Sequence, residues 1–291
     1  MTFQKTDRFL VAGLGLLGAR YALGLTRAGL HVDGGNRSRP NLETALQKGY
    51  IQTGKTADYA DLVSAADYII LAQTPSAMLE WAGRWGRCCK PGCLITDLAG
   101  VKQGLVEPLQ ALLPQEVEFI GSHPMAGREL SGAQNAELVD FFPANFIITP
   151  TGQNTPRGIA FARALADTLG FAHVCLLSPA EHDRMIGYVS QLTHAIAVSL
   201  MCASDNGRLA EYTGDSFRDL TRIARINGGM WAELFLWNRQ NLIAEIDQFT
   251  STLQALKERL ATGDAEALKE MFALSTQRRA AFDKKPEEEK G

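Results

Sequence analysis

The hexapeptide Gly13-Leu14-Gly15-Leu16-Leu17-Gly18 constrains this chain more than any other stretch. It closes a short apolar run, Arg8 to Ala12 (RFLVA), and opens a segment of helical pattern from Ala19 to Ala28. In a turn of this kind the first glycine allows the tight bend and the second lets backbone approach a pyrophosphate. The third lets helix and strand pack closely. Free N–H groups at the helix N-terminus then face the anion. A lone G-x-G-x-x-G is weak evidence. Its place after an N-terminal strand, with a second strand at Leu30 to Gly34, is the context that points to a dinucleotide.

The series continues with apolar runs at Asp67 to Ala72 (DYIILA), Cys93 to Asp97 (CLITD), Glu118 to Gly121 (EFIG), Phe146 to Thr149 (FIIT) and His173 to Leu177 (HVCLL), with a helical segment at Gly158 to Leu169. Strands alternating with helices imply right-handed crossovers and a mostly parallel, doubly wound α/β sheet of Rossmann type. From Pro179 onward the pattern changes to long segments with a three-to-four apolar period. The expected organisation is therefore a dinucleotide-binding domain over 1–178 and an all-helical domain over 179–282. Ile246, Phe249, Leu253, Leu256 and Leu260 alternate spacings of three and four, a seam for another helix of this chain or of a partner. The tail from Asp283, DKKPEEEKG, has the charge and proline content of a disordered segment.

Composition excludes more than it identifies. A net charge of -3 offers no electrostatic case for nucleic acid or an anionic membrane. No signal-peptide pattern precedes the first strand, and no uncharged stretch is expected to span a bilayer. Five cysteines without a CxxC pair read as reduced thiols rather than a disulfide framework or zinc site, so the cytoplasm is the expected location.

After the second strand the chain reads Gly35-Asn36-Arg37-Ser38-Arg39. An acidic residue here would bind the adenosine ribose hydroxyls. Asn36 takes that position, so nothing there repels a 2′-phosphate, while Arg37 and Arg39 can pair with one and Ser38 can hydrogen-bond it. The expectation is NADP in preference to NAD. Asp33 lies earlier, within the strand, and is not counted as a ribose ligand.

A second constellation lies in Gly121 to Gly132 (GSHPMAGRELSG), at the carboxyl edge of the sheet where ligands of open α/β sheets bind. His123 there can take a hydroxyl proton as hydride leaves the same carbon; the plainer alternative is a loop histidine bonded to backbone. The stretch resembles the GSHPMAGxExSG segment of prephenate and arogenate dehydrogenases. Thr96 to Lys102 (TDLAGVK) resembles that family's TDxxSVK segment, while Ser178 to Arg184 (SPAEHDR) and Ser190 to His194 (SQLTH) are similar to its EHD and SHLPH stretches. Phe217 to Ala224 (FRDLTRIA), Met230-Trp231 and Asn238 follow its FRDLTRIA…MW…N pattern, in the family's order.

The resemblance implies a Rossmann domain, a helical substrate and dimerisation domain, and a homodimer. It also implies oxidative decarboxylation of prephenate to 4-hydroxyphenylpyruvate, a step of tyrosine biosynthesis, with no metal. By resemblance His123 is the base, Arg222 binds a substrate carboxylate, His194 and Ser190 face the same pocket, and Glu129 and Asp219 lie near its entrance. His182, Ile186, Ser190 and His194 are spaced by four, so one helical face is expected to carry both histidines and the serine. Met185, Val189, Leu192 and Ile196 are expected to bury that helix, with His182 open to a purely bracing role. Arg218, Arg222 and Arg225 are expected to share another face, where Arg222 could instead pair with Asp219. Gly100 stands where the family pattern commonly has serine, and Gly214-Asp215-Ser216-Phe217 replaces its GGGF. Arogenate or dual specificity, and a dinucleotide sensor without turnover, remain alternatives; assays with both acids separate them.

Overall fold

Phe9 and Val11 point to one face of the first strand, Leu10 and Ala12 to the other, and all four are fully buried. That two-sided burial is what a central parallel strand requires. In the computed structural model, which describes residues 1–282, this strand is β1 (Arg8–Ala12). It is followed by α1 (Leu16–Arg27), β2 (His31–Gly35), α2 (Arg39–Gln47), β3 (Thr53–Lys55), α3 (Ala60–Ala65), β4 (Tyr68–Leu71), α4 (Pro75–Trp85), β5 (Leu94–Asp97), α5 (Val106–Ala111) and β6 (Glu118–Pro124). Then come β7 (Asn145–Thr149), α6 (Pro156–Leu169) and β8 (His173–Leu176).

The eight strands form one sheet in the order β3-β2-β1-β4-β5-β6-β7-β8. All neighbours are parallel except β6 and β7, so β7 and β8 run against the other six. Helices α1, α2 and α6 cover one face, through residues such as Tyr21, Leu42 and Phe161. Helices α3, α4 and α5 cover the other, through Leu62, Trp81 and Leu109. Strand order reverses between β1 and β4, and the glycine turn sits at that switch point, where open α/β sheets bind ligands. The sequence pattern does not disclose β3: Thr53-Gly54-Lys55 is a three-residue polar edge with no apolar alternation.

No strand follows β8 among the described residues. Helix α7 (Pro179–Ile186) starts from a capping box in which Ser178 and Glu181 satisfy each other's backbone N–H groups. It runs through a π-helical turn, Gly187–Leu192, into α8 (Thr193–Cys202). Short α9 (Leu209–Tyr212) and α10 (Asp215–Thr221) precede α11 (Gly228–Trp237), capped by the Asn227 side chain. Helix α12 (Arg239–Thr262) and α13 (Ala265–Ala280) complete the described chain. The charged tail, 283–291, lies outside the described residues.

By compactness the chain divides into Met1–Leu242 and a second unit from Ile243 onward. In the second unit Asp264 caps α13, and Arg259 Nη1 donates to the Ala267 carbonyl at 3.2 Å. Phe249, Leu253, Leu260 and Phe272 are exposed there.

Two expectations about the helical part need correction. Pro179–Cys202, with mean hydropathy 1.3, is long and apolar enough to cross a membrane by length and composition, contrary to the expectation that no stretch would be. Most of the segment is not buried, but three of its polar side chains, His182, Asp183 and Gln191, are buried and hydrogen-bonded to groups elsewhere in the first unit. Of the residues expected to bury it, Leu192 is buried, but Met185 and Val189 are 46% and 45% exposed, because Ile186 and Gln191 face inward in their place.

Candidate active site

The glycine turn meets the geometric demands of a dinucleotide site. Gly13 has φ 104°, and a Cβ there would lie 2.3 Å from the Ala72 carbonyl oxygen, in the loop after β4. A Cβ on Gly18 would lie 1.9 Å from the Gly13 oxygen, so only glycine lets α1 pack this close to the turn. A Cβ on Gly15 would meet nothing within 4 Å, which leaves the backbone there open to a phosphate. Leu16 and Leu17 begin α1, and Leu16 is buried beneath it. Beside Gly13, Gln73 keeps a buried Oε1 without a protein hydrogen-bond partner, an acceptor suited to a ribose hydroxyl. The chemistry of the turn therefore fits a dinucleotide, and Gln73 joins the candidates that the sequence motif alone does not mark.

Asn36 is buried and already engaged: its Oδ1 accepts from Leu14 N at 2.9 Å, and its Nδ2 donates to the Ser38 carbonyl at 2.7 Å. It braces the glycine turn. Ser38 is the N-cap residue of α2, with its hydroxyl making no cap hydrogen bond. Arg39 is exposed and pairs with Glu43 at 2.8 Å, whereas Arg37 is exposed and makes no ion pair among the described residues. Asp33 is buried against Arg8 Nη2 at 2.7 Å and His31 at 3.0 Å.

His123 lies on a strand rather than in a loop. Pairing with antiparallel β7 extends β6 past Gly121, with Ser122 opposite Ile148 and His123 opposite Ile147. The pleat sends Ser122 into the interior, where its N–H donates to Asp97 Oδ1 at 2.9 Å. His123, next along, keeps part of its surface accessible.

Behind His123 lies a buried polar row. His123 Nδ1 is 3.0 Å from His182 Nε2, and His182 Nδ1 is 2.7 Å from Asp183 Oδ1. Asp183 also accepts the backbone N–H groups of Lys102 and Gln103, at 2.8 and 2.7 Å. Lys102 is fully buried and its Nζ donates to Asp97 Oδ2 and the Ala99 carbonyl, which pins the loop after β5. Burial pushes the His182 ring down to about 3, with Lys102 adding to the effect, and pushes the Asp183 carboxyl up to about 6. At neutral pH the pair is thus a neutral imidazole beside a carboxylate. Desolvation, then His182 and Lys102, holds His123 well below the ordinary imidazole range.

A second group carries the expected substrate contacts. Arg222 Nη1 donates to Glu129 Oε1, and both are partly open to solvent. His194 stacks on Trp231 with ring centroids 3.7 Å apart, and its Nδ1 meets the Ser190 carbonyl at 2.9 Å. Glu129 and Arg222 lie close enough to His194 to bias its ionisation, although burial dominates and lowers it. Ser190 takes part through backbone; its hydroxyl makes no hydrogen bond among the described residues. Helix α11 joins the two groups. Its Trp231 stacks on His194, and its Leu234 would sit 3.8 Å from a Cβ on Gly100, beside His123.

The expected helix faces are broken. The π turn at Gly187–Leu192 widens the backbone, so His182 and His194 do not share a straight four-residue stripe. His182 faces β6, while His194 faces α11. Helix α10 stops at Thr221, so Arg222 opens a 3-10 turn and Arg225 ends it. Asp219 is exposed and makes no ion pair among the described residues, since Arg222 pairs with Glu129. Arg218 pairs with Asp215 instead. A cleft of about 650 Å³ between Glu107, Glu116 and Arg157 involves the opposite end of β6 and none of these residues.

Two family profiles cover this arrangement: the prephenate dehydrogenase nucleotide-binding domain matches residues 21–175, and the prephenate dehydrogenase dimerization domain matches residues 178–274. The chain belongs to the prephenate dehydrogenase family. A prephenate dehydrogenase of Lactococcus lactis is 31% identical over 283 residues, covering 95% of this chain and 77% of that protein. A cyclohexadienyl dehydrogenase of Zymomonas mobilis is 30% identical over 235 residues, 78% of this chain and 79% of that protein. The crystal structure of the A. aeolicus prephenate dehydrogenase in complex with hydroxyphenyl propionate and NAD+ superposes with a TM-score of 0.87 at 28% identity, covering 96% of this chain and 99% of that one. Family membership makes the chain an oxidoreductase with a nucleotide-binding domain. Asp183 and Lys102 are the residues that motif reading passed over, although both lie inside the EHD and TDLAGVK stretches.

Proposed function

We propose that this chain oxidises and decarboxylates prephenate to 4-hydroxyphenylpyruvate, with NADP+ preferred over NAD+. The observation that carries the reading is His123: a neutral, partly accessible imidazole on the sheet edge that also holds the glycine turn, backed by a buried histidine and carboxylate. A base of this kind takes the C4 hydroxyl proton of the substrate as C4 becomes a carbonyl. When bound, the nicotinamide supplies the hydride acceptor. Loss of CO2 from the opposite ring carbon then restores aromaticity, so the side chains chiefly bind, orient and hold the proton.

Arg222 supplies the cation for a substrate carboxylate, which takes the place that Glu129 holds. His194 and Trp231 form a stacked wall beside it, with Ser190 orienting His194 through its carbonyl. Asp219 acts near the entrance through its charge. For the cofactor, Arg37 and the Ser38 hydroxyl at the start of α2, neither with a side-chain partner among the described residues, favour a 2′-phosphate, and Arg39 joins them once its exposed pair with Glu43 opens. The dimerization-domain match and the uncovered apolar residues of α8 and α12 support a homodimer through residues 179–282.

The Zymomonas mobilis relative keeps arogenate or dual specificity as a second reading. Steady-state assays with both acids against both cofactors test all of this. Turnover of prephenate with a higher kcat/KM for NADP+ is expected, and His123→Asn should lower kcat by orders of magnitude with cofactor affinity unchanged. A preference for NAD+ overturns the cofactor assignment, and turnover of arogenate alone favours the second reading. No turnover with either acid, beside tight NADP+ binding, indicates a dinucleotide sensor.

A further inference from the structure

The His123 ring has one hydrogen-bond partner among the described residues, His182 Nε2, 3.0 Å from its Nδ1. On its other side stands Gly100, where a Cβ would lie 3.8 Å from His123 Nε2; the chain provides no side-chain hydroxyl there to orient the ring. Proton positions along the row can be assigned from its inner end. Asp183 accepts a backbone N–H at each oxygen, from Lys102 at Oδ1 and Gln103 at Oδ2, which suits a carboxylate. His182 Nδ1 lies 2.7 Å from that same Oδ1 and therefore donates to it. A neutral imidazole that donates from Nδ1 has only a lone pair at Nε2. That lone pair faces His123 Nδ1, so His123 donates there and carries its own lone pair on Nε2, the nitrogen beside Gly100.

We propose that His182 and Asp183 are positioning residues that hold His123 in its Nδ1–H tautomer, leaving Nε2 free to take the substrate's hydroxyl proton. This rests on the reading of His123 as the base. Without an acceptor at Nδ1 the ring can rotate and shift its proton, and a free histidine ring favours the proton on Nε2, the form that cannot accept there. His182 is fully buried and acts only through His123. As the substrate O–H bond breaks and the Nε2–H bond forms, the Nδ1–H stays on His123. The resulting imidazolium keeps its hydrogen bond to His182, with the Asp183 carboxylate behind it. A brace needs packing alone; this row also aligns each donor with an acceptor over three residues.

The direct test is 15N NMR of the histidine-labelled full chain at neutral pH, with His123 assigned by its loss in His123→Asn. A pyrrole-type Nδ1 and a pyridine-type Nε2 on His123 are expected; an Nε2–H tautomer in the wild type overturns the proposal. In variants, His182→Phe removes the acceptor and should lower kcat by about 100-fold, with KM for acid and cofactor nearly unchanged and His123 in mixed tautomers. His182→Gln offers an amide oxygen to the same N–H and should recover most of that loss. Wild-type kcat and a pure Nδ1–H tautomer in His182→Phe also overturn it, and if that variant fails to fold the wild-type spectrum decides. The spectrum does not depend on turnover. A fully active His123→Asn sinks the base reading, whereas the wrong wild-type tautomer sinks only the positioning role.

Discussion

As the proposed base, His123 must meet two opposing demands, since a base needs contact with its substrate but works best where water is scarce. His123 keeps part of its surface accessible and is backed by a fully buried histidine and carboxylate, which meets both. Only the neutral ring accepts a proton, and burial, with His182 and Lys102 behind it, lowers the tendency of His123 to be charged. The base form therefore persists as pH falls past the ordinary imidazole value of about 6.5. The acidic limb of log kcat/KM should lie below that value; a midpoint at or above it contradicts the burial argument. Arg222 is a different case, because it is exposed and, among the described residues, pairs with Glu129 alone. Arg222→Ala should raise KM for the acid by about tenfold or more while kcat changes less. Steady-state kinetics check this, and an unchanged KM removes Arg222 from the substrate site. The residue types at 123 and 222 are legible in the sequence. The groups buried behind His123 are not, since Asp183 and Lys102 lie 60 and 21 positions from it along the chain and are brought there by the fold, which no local pattern encodes.

At the scale of elements, most of the sheet is legible because two-sided burial makes each central strand an apolar run. The departures share a cause: pairing decides what propensity leaves open. Strand β6 extends to Pro124 because β7 pairs with it antiparallel, and β3 exists because β2 offers an edge. The π turn is likewise invisible to periodicity, and it separates His182 from His194. The glycine turn is the reverse case, where spacing alone anticipates the contact. A Cβ at Gly18 would collide with the Gly13 carbonyl, so turn or helix must move. Gly18→Ala should weaken dinucleotide binding by about tenfold or more and cost about 1–3 kcal/mol of stability. Fluorescence titration and thermal unfolding measure both, and an unaltered cofactor Kd would show that the close packing is dispensable.

At the scale of the whole molecule, apolar side chains lie uncovered on the helices after β8. Met185, Val189 and Met201 on one segment, and Phe249, Leu253 and Leu260 on α12, are exposed in the single chain. Exposed apolar side chains in such number on each of the two units suit burial against a partner, and the match to a dimerization domain suggests a second copy in that role. Sedimentation equilibrium should find a dimer, and Leu253→Glu should shift it toward monomer. A wild-type monomer at tens of micromolar would rule this interface out. The seam Ile246, Phe249, Leu253, Leu256 and Leu260 is legible from spacing, but whether its partner is the same chain or another is not.

By itself, the sequence determines the doubly wound sheet, the glycine turn that joins its first strand and helix, and which side chains are candidates for the chemistry. These follow from short-range rules: burial period, turn geometry and side-chain chemistry. Only the tertiary structure decides that Asn36 braces the glycine turn, that His123 sits on a strand, and that a row from Asp183 through His182 fixes which ring nitrogen is free. Those facts depend on long-range pairing and on hydrogen bonds that must be satisfied once water is excluded, and no local spacing carries them.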